Sequence, residues 1–223
     1  LAARLSAIDA RIADAARHAA RDPAEITRIV VTKFHPAALV RDLRALGVRE
    51  MGENRQQELT AKRDELGELD VSWHFIGQAQ TNKAAAIRRA ADVVHSVDRA
   101  KLADALERAG EGDSILDVLL QVNLTQDVGR GGVTESEAAA LAEHVLGLES
   151  LRLRGVMGVA PLDEEPQSAF ARLREVSERV RSLAPEATWI SAGMTGDFEA
   201  AIDAGATHLR IGSAITGPRP DRG

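Results

Sequence analysis

Short apolar, β-branched runs alternate along the 223-residue chain with stretches in which apolar residues recur every third or fourth position. The first pattern predicts buried strands and the second amphipathic helices. The runs lie near residues 28–33 (RIVVTK), 49–53 (REMGE), 71–77 (VSWHFIG), 92–97 (DVVHSV), 115–124 (ILDVLLQVNL), 153–160 (LRGVMGVA), 187–193 (ATWISAG) and 207–212 (THLRIG). Between them fall helical patterns such as PAALVRDLRALG, where Pro36 suits a first turn and Gly47 a C-terminal cap. KAAAIRRA, RAKLADALERAG, TESEAAALAEHVLG and DFEAAIDAGA are others, and an extra amphipathic helix, LAARLSAIDARIADAARHAA, opens the chain. Eightfold β/α alternation predicts a parallel sheet whose natural closure is an α/β (β/α)8 TIM barrel, with an open doubly wound sheet as the second choice. No Gly- or Pro-rich linker divides the pattern, so residues 1–223 are expected to form a single domain.

Composition narrows the partners. The net charge of −6 comes without a block of like charges or a basic, aromatic-interleaved face, which disfavours nucleic acid. No apolar run reaches the length of a membrane span, and the opening helix is not a signal peptide, so a cytoplasmic protein without membrane contact is expected. With no cysteine there is no disulfide frame, thiolate nucleophile or sulfur-based zinc site.

In a barrel of this kind, chemistry collects at the C-terminal ends of the strands. Lys33, Glu53, Asn54, Gly77, Gln80 and the stretch His95–Asp98 would all ring that mouth. An ammonium at the end of a buried strand needs a partner, a lowered pKa or a chemical use. One reading pairs Lys33 with Glu53; the other makes it a Schiff-base lysine condensing with a carbonyl compound. The loops after strands seven and eight bear on the choice. SAGMTGDFEAAI passes through glycines into a helix expected to start around Thr195, and RIGSAITG repeats the arrangement. Such loops commonly hold phosphate through free backbone N–H groups, with Thr195 and Ser213 adding hydroxyls and Gly193, Gly196 and Gly212 allowing close approach. Arg210, on the same strand face as Gly212, needs an acceptor: a carboxylate such as Asp197 or Glu199, or a heteroaromatic nitrogen of a ligand. His74, His95 and His208 lack metal-ligand spacing and read as core or loop-positioning residues. Asp98 is expected to cap a helix, while Asn82 and Lys83 read as residues at a helix start or beside a peripheral phosphate.

VTKFHP, GENRQQE, WHFIGQAQTNK, HSVDR, LRGVMGV, SAGMTGDFEAAIDAGATH and RIGSAITG, in this order and spanning nearly the whole chain, resemble the pyridoxal phosphate homeostasis proteins, a family similar to the N-terminal domain of alanine racemase. The resemblance implies a fold-type III barrel in which Lys33 holds pyridoxal 5′-phosphate as a Schiff base. Thr195, Gly196, Gly212 and Ser213 would hold the phosphate, Ser191, Gly193 and Met194 would shape that wall, Arg210 would face the pyridine nitrogen, and Asn54 would lie beside the cofactor. An arginine there leaves the ring a poorer electron sink than an aspartate would. The chain contains no tyrosine, whereas related two-domain racemases take a tyrosyl second base from a C-terminal β domain. The resemblance therefore implies a monomeric protein of vitamin B6 homeostasis without robust catalysis, which supplies the cofactor to apo-enzymes. A racemase of low activity and a cofactor-free, class I aldolase-like barrel remain as alternatives. The chain departs from the family at Phe34 and His35, at Arg130 where lysine is common, and at Ala192 where a larger residue is common.

Overall fold

The computed structural model describes residues 1–67 and 69–219. Eight parallel strands form a closed barrel in sequence order: β1 (Thr27–Val31), β2 (Glu50–Glu53), β3 (Ser72–Phe75), β4 (Val93–Val97), β5 (Leu116–Gln121), β6 (Leu151–Met157), β7 (Trp189–Ser191) and β8 (His208–Ile211). Strand β8 pairs with β1, setting Ile29 beside Arg210, and so closes the ring. Closure rather than an open sheet follows, and each strand expected from sequence is present with ends displaced by three residues at most. The overruns have a packing cause. Val122 and Leu124 stay buried although their backbone has left β5, so apolarity alone does not mark where the ladder stops.

Around the barrel run α1 (Ala2–His18), α2 (Ala37–Ala45), α3 (Gln56–Leu66), α4 (Ala84–Ala90), α5 (Ala100–Arg108), α6 (Ala138–Leu146), α7 (Pro166–Leu183), α8 (Phe198–Asp203) and α9 (Ser213–Thr216). The extra helix α1 buries Leu5, Ile8, Ile12 and Ala16, one stripe at helical spacing, and packs on α8 and α9. Burying each leucine or isoleucine there contributes roughly 1.5–3 kcal/mol. Arg4 Nε ties the helix to the Ile215 carbonyl at 2.7 Å.

Strand alternation separates two cores. Val30, Met51, Trp73, Phe75, Val94 and Leu209 belong to the large apolar shell packed against the helices. The barrel interior is divided. Val93, Leu119 and Met157, with Val159 and Trp189, make a small apolar cluster, while Glu50, His74, His95, Ser191 and Arg210 form a hydrogen-bonded polar line.

Candidate functional site

The loop after β1 explains the position of Lys33. Ile29, Val31 and Lys33 share one strand parity, so Lys33 continues the inward set at the barrel's C-terminal mouth, where its side chain is exposed. The chain then reverses in a tight turn: the His35 amide donates to the Thr32 carbonyl at 3.1 Å, with Phe34 at φ +69°. A positive φ in that position is the feature of a type II turn, which normally takes glycine. Phenylalanine there costs on the order of 1–2 kcal/mol. The turn is held nonetheless, because the Phe34 amide donates to Glu58 Oε2 at 2.8 Å. The Phe34 ring lies 3.9 Å from the Arg219 guanidinium, 5.1 Å from that of Arg55 and 5.9 Å from Lys33 Nζ.

Glu53 is not the partner of Lys33. By alternation it points outward from β2, where it is fully buried against α3 and bonds Lys62 Nζ and, at 2.6 Å, the Thr32 hydroxyl. Lys62 also donates to the Thr32 carbonyl at 2.8 Å. Burial raises the Glu53 pKa, against the lowering effect of Lys62. Asn54, the next inward residue, does reach the mouth, and its Oδ1 is buried without a hydrogen-bond partner. Gly77 permits this approach, since a Cβ there would stand 2.0 Å from the Asn54 carbonyl oxygen.

The two loops expected to bind phosphate lie side by side, because β7 and β8 pair through Ser191 and His208. Helix α8 begins at Phe198, not around Thr195. The Asp197 carboxylate accepts from the Met194 amide at 2.6 Å and holds residues 194–197 as a turn. Within that turn the Thr195 and Gly196 amides donate to no acceptor among the described residues. A Cβ on Gly196 would meet nothing within 4 Å, so the turn frames an open cradle. Gly193 serves packing instead: at φ +91° a side chain would collide with Ala201 Cβ at 2.7 Å. Met194 is 41% exposed at the rim. Beyond β8, Gly212 lies over Val31, and Ser213 opens α9 with an exposed side chain.

Arg210 is buried beneath these loops, and neither expected carboxylate binds it. Asp197 is engaged with Met194, and Glu199 pairs with Arg11 at 2.5 Å. The guanidinium donates from Nη1 to Ser191 Oγ at 2.7 Å and from Nη2 to the Gly158 carbonyl at 2.9 Å. Burial draws its pKa down to about 10, an effect opposed by the nearby charge of Asp197. Ser191 thus bonds both Arg210 and His95 inside the barrel.

His74 and His95 stand in the same line, whereas His208 bonds Thr207. His95 Nδ1 lies 2.9 Å from Ser191 Oγ, His95 Nε2 lies 2.8 Å from His74 Nδ1, and His74 Nε2 lies 2.7 Å from Glu50 Oε2. His95 is fully buried, and desolvation first, then His74, His208 and Arg210, holds its pKa well below 6.5. His208 falls to about 3 through burial, with His74 and Arg154 adding to the effect. Burial alone would raise the Glu50 pKa, but the hydrogen bond and charge of His74, with Ser72 and Arg49, take it below 4.5. Asp98 does not cap α5; it pairs with Arg99, which is the cap residue itself.

Glu50, Glu58 and Lys62 were not singled out from the sequence. Two of them left a signal: Glu50 shares the parity of Gly52 and Asn54, and Lys62 falls three residues after Leu59 on the buried side of α3.

A family model described as alanine racemase, N-terminal domain, matches residues 3–220. The pyridoxal phosphate homeostasis protein of Pseudomonas aeruginosa is 43% identical, the alignment covering 98% of this chain and 96% of that protein. Its namesake from Mycobacterium tuberculosis is 41% identical over 96% and 91%. Among solved structures, PipY of Synechococcus elongatus without PLP superposes with a TM-score of 0.87 at 34% identity, covering 97% of this chain and all of that one. The PLP-bound form of PipY gives 0.81 at 36% identity, over 92% and 100%.

Proposed function

The chain belongs to the pyridoxal phosphate homeostasis proteins, within the alanine racemase N-terminal domain family, and from that membership we propose that it binds pyridoxal 5′-phosphate at the barrel mouth and serves its homeostasis. The observation that carries the site is Arg210, a buried cation whose hydrogen bonds go to a hydroxyl and a carbonyl but to no carboxylate. A guanidinium has five N–H donors and never accepts, so its remaining donors suit a ring nitrogen that keeps its lone pair. The open cradle at Gly196, with the undonated amides of Thr195 and Gly196, fits the phosphate of such a ligand.

Bound there, the cofactor supplies an aldehyde carbon open to amine attack and an electron-withdrawing ring. The residues of the chain then divide the work. Lys33 offers the primary amine from the corner of a turn whose backbone is fixed by Glu58. Backbone amides of Thr195, Gly196, Gly212 and Ser213, with the hydroxyls of Thr195 and Ser213, bind the phosphate, and Met194 flanks them. Arg210 orients the ring and keeps its nitrogen unprotonated, which limits carbanion chemistry. Ser191 acts through Arg210, as a positioning residue. No tyrosine is present to act as a second base, and we assign the chain a single-domain, monomeric, cytoplasmic carrier role toward apo-enzymes, without robust turnover.

The test is the visible spectrum of the purified protein with added pyridoxal 5′-phosphate, followed by borohydride reduction and peptide mapping. Reduction onto Lys33 alone is expected. Absence of a band, or label spread over the surface lysines, would sink the reading in favour of a cofactor-free phosphosugar barrel. Incubation with L-alanine and other amino acids, read by chiral chromatography, separates carrier from racemase.

A further inference from the structure

The polar line through the barrel has fixed ends. Arg210 can only donate, and an ionised Glu50 can only accept. Ser191 Oγ accepts from Arg210, so its one proton is free to go to His95 Nδ1, 2.9 Å away. His95 must then carry its proton on Nε2 and donate to His74 Nδ1, and His74 must carry its own on Nε2 and donate to Glu50 Oε2. With neutral imidazoles the reverse arrangement fails at both ends, and with His74 doubly protonated it still fails at Ser191. His74 Nε2 would turn a lone pair toward the carboxylate, and the Ser191 hydroxyl, receiving two donors, would lose its acceptor. Every bond in the line is 2.9 Å or shorter, and His74, His95, Ser191 and Arg210 are all buried. Glu50 is the exception. Its side chain is 32% exposed, and it lines a hollow of about 360 Å³ with Asp92, Asp117, Arg152 and His208 at the strands' N-terminal ends.

We propose that Glu50, at the opposite end of the barrel from the mouth, is a positioning residue for Arg210, fixing the proton direction of the His74–His95–Ser191 line so that Ser191 presents its lone pair to the guanidinium. The inference rests on the reading of Arg210 as the partner of the cofactor ring. Its chemistry is a choice between two proton arrangements, with no bond made or broken. Converting the carboxylate to an amide removes the choice: an NH2 group donates to His74 Nε2 as readily as its carbonyl accepts, and both directions become available.

The experiment compares wild type, Glu50→Gln and, as a charge control on the same hollow, Asp117→Asn, each labelled with 15N-histidine. Asp117 binds Arg152 at 2.5 Å and stands outside the line. In the cofactor-free wild type and in D117N, His74 and His95 are expected as the Nε2–H tautomer only, and in E50Q as a mixture of tautomers. With pyridoxal 5′-phosphate added, E50Q is expected to bind roughly three- to tenfold more weakly and to show a displaced absorption maximum, with D117N matching wild type. Glu50→Ala serves the same comparison if E50Q does not fold. Unchanged tautomers in the Glu50 variant would overturn the proposal, as would altered tautomers with affinity and spectrum unmoved. Failure of wild type to bind the cofactor would strike the functional reading instead, and the tautomers of the cofactor-free proteins would still decide the direction of the line.

Discussion

Lys62 bonds the buried Glu53 carboxylate on the outer side of β2 and, through the Thr32 carbonyl at 2.8 Å, also the last residue before Lys33. The buried acid and its cation thus form a pair on the outer side of the barrel, and Lys33 stands exposed at the mouth. Removing one partner strands a buried charge. Lys62→Ala and Glu53→Ala are each expected to lower stability by about 3–5 kcal/mol, with the double variant Lys62→Met/Glu53→Leu recovering most of the loss. Urea denaturation checks this; single variants costing no more than a surface ion pair would show the pair to be solvated.

Arg210→Met separates ligand recognition from folding. The variant removes a cation without a carboxylate partner, so the melting temperature of the cofactor-free protein is expected not to fall by more than about 2 °C, the equivalent of about 1 kcal/mol or less in a chain of this size. Affinity for pyridoxal 5′-phosphate is expected to drop by roughly tenfold or more. A large loss of thermal stability with affinity intact would make Arg210 a structural residue.

Acid sensitivity follows from the interior histidines. His208 is held at about 3 and His95 well below 6.5, so below pH 6.5 the unfolded chain takes up protons that the folded one refuses. Their contribution is fully present above about pH 6.5 and is lost as pH falls toward the folded values, at about 1.4 kcal/mol per pH unit for each group. Glu53 has the opposite sign. Its pKa is raised by burial above 4.5, so its contribution is present at low pH and lost as pH rises through the raised value. Urea midpoints measured from pH 7 to 5 are expected to fall, less steeply in His208→Gln. A flat profile would show the imidazoles to be hydrated in the folded state.

The alternation of strands and helices was legible because a parallel barrel repeats one local pattern, and the loops after β7 and β8 were legible because glycines and hydroxyls mark them. The Arg210 environment was legible only in part: parity placed the side chain inside, but its acceptors, Ser191 on β7 and the Gly158 carbonyl just after β6, come from elsewhere in the sequence. Glu53 was misread for the same reason. Parity points it away from the mouth, and the cation that meets it there stands on a neighbouring helix. The turn at Phe34 left no cue, since its positive φ is imposed by the Glu58 carboxylate and not by the residue's own preference.

The Phe34 ring, with Arg219 and Arg55 against it and Lys33 beside it, gathers three cations at one side of the mouth of a chain whose net charge is −6. At the other end Glu50, Asp92 and Asp117 share one hollow with Arg152 and His208. A doubly charged anion is repelled by the net charge at long range, and the three cations act on it only within about a Debye length, 8–10 Å at ordinary salt. Capture at such a site is set by orientation at close range and not by net charge.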